Sequence, residues 1–111
     1  LAVHILTADT FGTVNSTFGR SEFTVHILPP GGELEAKAAY VRNLDAMACA
    51  CFGNGNNDAA MLREAGLSVA VLQPEGLARA ALEAAHVLVP GIEAGLDLLL
   101  HPSRLKATLR S

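Results

Sequence analysis

Tryptophan is absent, tyrosine occurs once and phenylalanine four times, so a core must come from Ala, Leu and Val rather than from rings. Half of the 111 residues are apolar, so that material is plentiful. The formal net charge is −3, and neither basic runs nor interleaved basic and aromatic residues occur. This argues against a nucleic-acid surface. No apolar stretch approaches the roughly 20 residues needed to cross a bilayer, and no secretory leader pattern is visible. A cytoplasmic protein without a membrane partner is expected. Only Cys49 and Cys51 are present as cysteines, alternating along one expected strand with no further Cys or His at ligand spacing. Small core thiols suit that pattern better than metal ligands or a disulfide. His4, His26, His86 and His101 are scattered singly and read as satisfied or edge residues rather than general bases. Internal repeats and low-complexity linkers are lacking, and the length suits one domain on the small side for a doubly wound sheet.

What is present is an alternation of short apolar runs and helical patterns. Strands are expected over Ala2–Leu6, Phe23–Leu28, Met47–Phe52, Ser68–Leu72 and His86–Val89. Helices are expected near Thr10–Phe18, over Glu33–Leu44 (Leu34, Ala38, Val41 and Leu44 on one side), Asp58–Ala65, Gly76–Ala85 and Ile92–Leu100, with Ser103–Leu109 continuing as another. Glu33 and Glu35 suit the positive amino end of the second helix. Strands alternating with helices imply an α/β fold with a parallel sheet and right-handed crossovers.

The stretch Phe52-Gly53-Asn54-Gly55-Asn56-Asn57-Asp58 is the centre of this arrangement, a polar glycine-rich loop between a strand and a helix. Ligands of open α/β sheets sit at such carboxyl ends of strands. Three readings compete. Asn and Gly dominate ordinary turns because they tolerate positive φ. A dinucleotide fingerprint would need a third glycine where Asp58 stands. An oxygen-rich loop also suits a hard cation such as Mg²⁺ beside a phosphoryl group.

Gly53–Leu62 (GNGNNDAAML) resembles the fourth motif of the haloacid dehalogenase superfamily, usually G-D-G-x-N-D, in the flavour of soluble proteins related to the P-type ATPase phosphorylation domain. The likeness extends over nearly the whole chain. Leu6-Thr7-Ala8-Asp9 is similar to the second motif, a strand closed by Thr or Ser, and Lys37 fits the third. The resemblance implies a three-layer Rossmann-like core and an Mg²⁺-dependent phosphohydrolase that works through an aspartyl-phosphate. It assigns Thr7 and the Ala8 backbone N–H to the phosphoryl oxygens and Lys37 to the same group as a point charge. Asn54 and Asp58 would hold Mg²⁺, and Asn57 would bond near the phosphoryl group. The substrate would be a phosphorylated molecule of unspecified identity. The short connection between Asp9 and Phe23 leaves no room for a large cap.

Each residue also has an ordinary reading. Thr7 or Asp9 suits a helix cap, as does Asp58, and Lys37 follows Glu33 at the spacing of an exposed helix pair. Two departures from the family pattern stand out. Asn54 replaces the usual Asp, so one candidate ligand is neutral. The first motif, an apolar strand ending in the nucleophilic Asp of D-x-x-G-T, is absent; Asp9-Thr10-Phe11-Gly12-Thr13 is superficially similar but belongs to the second motif. The chain begins with Leu, already inside an apolar strand, which suggests material upstream. In the family the first-motif strand lies between the strand ending at Thr7 and the strand ending at Phe52. Without it two central edges lack partners, and each buried unpaired backbone group costs about 1–3 kcal/mol. A gap, completion by another strand, or self-association through those edges is expected. The rival functional reading is a degenerate module that binds through the same cleft without a nucleophile; a Rossmann-like nucleotide-binding domain is the third.

Overall fold

The computed structural model of the protein describes residues 2–7, 24–29 and 31–110. Within them lie β1 (His4–Thr7), β2 (Thr24–Ile27), α1 (Glu33–Asn43), β3 (Ala50–Gly53), α2 (Ala59–Glu64), β4 (Leu67–Val71), α3 (Arg79–Ala84), β5 (Val87–Val89), α4 (Ile92–Leu100) and α5 (Pro102–Leu109). Every pairing between these strands is parallel, the arrangement that helical crossovers permit. The fold is mixed α/β, as the alternation in the sequence implies. The helix expected near Thr10–Phe18 lies outside the described residues.

Strand β4 shows why this sequence gives layers. Its side chains alternate across the sheet, and Ser68 to Val71 are all buried because both faces are covered. One face joins Val41 of α1, Cys51 of β3, Met61 and Leu62 of α2, the following Ala65, and Ala81 of α3 in one cluster. The other joins Val69, Val71, Val87 and Val89 with Phe52, Ala94, Leu98 and Leu105, bringing α4 and α5 against the sheet. Small residues permit that approach: a Cβ on Gly95 of α4 would stand 2.8 Å from the Phe52 ring. On the first face the Ser68 hydroxyl donates to the Leu62 carbonyl, so the buried hydroxyl is satisfied.

Several expected boundaries differ, each for a local reason. Residues 47–49 do not extend the third strand. Ala46–Ala48 form a single 3₁₀ turn instead, held by Gly66 N–H donating to the Ala46 carbonyl at 2.9 Å. The helix expected from Gly76 starts only at Arg79, because Gln73 and Gly76 close a tight turn on each other. In α1, Ala38 and Val41 are buried as expected, but Leu34, and Leu44 just past the end of the helix, are 44% and 40% exposed. The inward stripe of that helix is therefore narrower than the leucines suggest.

The strands fall into two sheets, β1–β2 and β3–β4–β5. Strands β1 and β3 are not paired with each other; both flank a largely apolar cavity of about 460 Å³. Val3, just before β1, and Ile5 of β1 line it, with Cys51 from β3, Val41 from α1, Met61 from α2 and Leu96 from α4. Helix α1 bridges the two sheets. Its Tyr40 hydroxyl lies 2.8 Å from His4 Nδ1 on β1, its ring stacks on His26 of β2 at 4.8 Å, and its Arg42 reaches Glu64 of α2 at 2.8 Å. Hydrogen bonds to Glu35 and then Glu64 raise the Arg42 guanidinium above its ordinary value.

Candidate functional site

At the carboxyl end of β3 the chain runs through Gly53, Asn54 and Gly55 into a 3₁₀ turn, Asn56–Asp58, before α2 begins. The loop folds back on the Asp58 side chain. Asp58 Oδ2 accepts the backbone N–H of Asn54 at 3.1 Å and of Gly55 at 3.0 Å. This closure needs a bare backbone at Gly53, where a Cβ would lie 2.6 Å from the Asp58 carboxyl carbon. Glycine is the residue that lets backbone and side chain meet so closely. Asp58 is thus 6% exposed; it stands at the N-cap position of α2, but its side chain gives that helix no cap hydrogen bond.

The other Asp58 oxygen faces α1. Lys37 Nζ donates to Asp58 Oδ1 at 2.6 Å and to Asn57 Oδ1 at 3.1 Å. The alternative pairing of Lys37 with Glu33 is not what the structure shows, since Glu33 accepts the Gly31 N–H instead. Both charged side chains are largely buried, at 12% and 9% exposure. A buried lysine and carboxylate persist when paired and further hydrogen-bonded, and the two N–H groups at Oδ2 supply that support.

Of the residues singled out in the sequence, Lys37, Asn57 and Asp58 are in direct contact. Asn54 contributes its backbone N–H to the same cluster, while its side chain turns to the Gln73–Ala78 segment. Thr7 ends β1 as expected, next to Leu6, which lines the same cavity as Lys37 and Asp58. Ala8 and Asp9 lie outside the described residues. The sequence reading missed the Gln73–Ala78 segment, in which Glu75 and Gly76 approach the Asn54 amide at 3.4 and 3.3 Å. Pro74, Glu75 and Gly76 include common turn residues, but nothing in the sequence placed them beside Asn54.

The donor set fits a hard cation in part. No three His, Cys, Asp or Glu side chains converge among the described residues. The chain would offer one carboxylate, Asp58, and the amide oxygen of Asn54. Mg²⁺ is commonly held by one or two carboxylates, with water and phosphoryl oxygens completing its octahedron; Asp58 is one such carboxylate, its two oxygens already accepting from Lys37 and from the Asn54 and Gly55 N–H groups. The thiols do not join the site as ligands. Cys51 is buried, and desolvation, followed by the charges of Cys49 and Asp58, pushes its thiol up to about 12.

Comparison with known proteins shows the family. A family model for haloacid dehalogenase-like hydrolases matches residues 13–88. An uncharacterized protein of Methanocaldococcus jannaschii is 43% identical over 58 residues, covering 52% of this chain and 62% of that relative. The chain therefore spans less than two thirds of the relative's length. No solved structure matches the chain. With more than half of its residues inside the family model, and the fourth-motif loop closed on Asp58 and Lys37, the chain belongs to the haloacid dehalogenase-like hydrolases.

Proposed function

We propose that this chain carries the cation- and phosphoryl-holding part of an Mg²⁺-dependent phosphohydrolase of the soluble P-type-ATPase-like kind. The observation that carries the reading is the meeting of Lys37, Asn57 and Asp58 at the carboxyl end of β3. An ammonium group and oxygen donors at strand ends are what phosphoryl transfer asks of a protein: position and charge neutralisation. The nucleophilic Asp would come from a strand outside residues 1–111, and the cavity flanked by β1 and β3 suits such a strand. In this reading residues 1–111 are a partial hydrolase core with no large cap, inactive alone and cytoplasmic, and β1 and β3, which each pair with one strand among the described residues, also favour self-association.

In the complete protein the Asp carboxylate forms an O–P bond while the bond from phosphorus to the leaving oxygen breaks. Water then displaces the carboxylate, and inorganic phosphate leaves. Lys37 would balance charge on the phosphoryl oxygens, and Thr7 with Ala8 N–H would donate to them. Asn57 would orient the group. Asp58 and Asn54 would hold Mg²⁺, whose chemistry there is to neutralise phosphoryl charge. A phosphate ester or anhydride is the substrate class, and the lack of a large cap admits large ones.

The test is a titration of the chain with Mg²⁺ and inorganic phosphate, followed by backbone amide NMR, beside a parallel titration with a dinucleotide. Shifts at Lys37, Asn57 and Asp58 that require both Mg²⁺ and phosphate are expected. A response to the dinucleotide alone would favour nucleotide binding. Shifts with phosphate in place, but no turnover once the upstream strand is restored, would favour the degenerate binding module.

A further inference from the structure

The Asn54 side chain is held by two groups that can only accept. Its Nδ2 lies 3.4 Å from Glu75 Oε2 and 3.3 Å from the Gly76 carbonyl. A carboxylate and a carbonyl have no proton to give, so the amide must present its NH₂ to them and turn its oxygen away. The chemistry of its two neighbours sets the orientation of the Asn54 amide.

The group that fixes it is itself built. Gln73 and Gly76 close a turn by mutual backbone hydrogen bonds, Gly76 N–H donating to the Gln73 carbonyl at 2.8 Å. Pro74 presets the first central position of this turn, and Gly76 adopts φ +109°, which a side chain would resist. Glu75 is thus placed at the tip. Ala78 N–H then donates to the Asn54 carbonyl at 2.7 Å, tying the segment to the loop by backbone as well. Asn54, Gly55, Glu75 and Gly76 share the lining of a second cavity of about 420 Å³.

We propose that Glu75 is a positioning residue for Asn54 and carries, one step back, the negative charge that a neutral Asn54 does not bring to the cation. This rests on the cation site proposed above and adds a residue to it. A carboxylate in place of the Asn54 amide would face Glu75 and the Gly76 carbonyl, so asparagine is the residue that suits this turn. The charge sits on the neighbouring segment, and the amide oxygen becomes the atom offered to the cation. Groups behind a metal ligand commonly govern affinity in this way.

The test is Mn²⁺ binding, read by the loss of the free-ion electron paramagnetic resonance signal, on the intact chain and five variants. Far-UV circular dichroism confirms that each is folded. Asp58→Ala should abolish binding. Glu75→Gln keeps an acceptor for the Asn54 amide but removes the charge, and should weaken binding by about threefold to tenfold. Glu75→Ala loses both and should weaken it further. Asn54→Asp alone should lower the melting temperature without cation. Adding Glu75→Gln gives the introduced carboxylate a donor, and should restore both the melting temperature and, to within about twofold, the Mn²⁺ affinity.

Binding abolished by Asp58→Ala but unchanged in both Glu75 variants would overturn the role of Glu75 and leave the cation site standing. Failure of the double variant, Asn54→Asp with Glu75→Gln, to recover affinity would do the same. If the unaltered chain binds no Mn²⁺, the cation site itself is refuted and the role of Glu75 falls with it.

Discussion

Lys37 Nζ and Asp58 Oδ1 meet at 2.6 Å across 21 positions of sequence, where α1 passes the loop that follows β3. That contact joins the two elements that the third and fourth motifs occupy, and it is nearly out of reach of solvent. The further support behind the two partners is unequal. Asp58 holds the Asn54 and Gly55 N–H groups, whereas Lys37 has Asn57.

The asymmetry predicts unequal losses. Asp58→Ala strands the Lys37 ammonium and two backbone N–H groups, and should destabilise the chain by about 3–5 kcal/mol. Lys37→Met leaves Asp58 with its two amide donors and should lose less. Urea unfolding of the two variants checks this. Equal losses would mean that the loop amides contribute nothing to holding the carboxylate. Should Asp58→Ala fail to fold, Asp58→Asn offers the same comparison at smaller amplitude.

Gly53→Ala should act on the same carboxylate from the other direction. The added methyl would begin 2.6 Å from the Asp58 carboxyl carbon and must push it aside. Overpacking of this kind costs about 1–3 kcal/mol. The expected signature is a lower melting temperature together with faster amide hydrogen exchange at Asn54 and Gly55. A variant that melts as the parent does, with both amides still protected, would contradict the tight closure of the loop.

The two cysteines should separate in reactivity. Cys51 is buried with its thiol pushed up to about 12, while Cys49 is partly exposed. At pH 8 a thiol with that value is a thiolate in about one molecule in 10⁴, and the thiolate is the reacting form. A thiol-disulfide reagent should therefore label Cys49 first and Cys51 only on unfolding. The folded value lies above the ordinary 9.0, so the unfolded chain loses this proton first as pH rises. The contribution to stability is complete below pH 9 and should fall away between pH 9 and about 12. Cys51→Ala should flatten that part of the alkaline stability curve; an unchanged curve would show that another group sets it.

Much of this was legible because strands and helices have different periods. The run Ser68-Val69-Ala70-Val71 reads as a strand covered on both sides, and it is buried throughout. Met61, Leu62 and Ala65 read as an inward stripe, and all three are buried. Ends of elements were less legible, since they depend on contacts made from far along the chain. The 3₁₀ turn at Ala46–Ala48 is fixed by Gly66, and Leu34 of α1 is exposed although it lies in register with Ala38 and Val41. At the site, the resemblance to the third and fourth family motifs named Lys37, Asn57 and Asp58, whose contact the structure supplies. Glu75 was invisible because its meaning lies in the distance to Asn54, which no local pattern encodes.

The most direct measurement is phosphate release from a generic phosphate ester by the upstream-extended chain, in Mg²⁺ and in EDTA, with Asp58→Ala beside it. The account predicts turnover in Mg²⁺ alone, at least about 100-fold lower in the variant. Turnover that persists in EDTA, or is unchanged by Asp58→Ala, would contradict it.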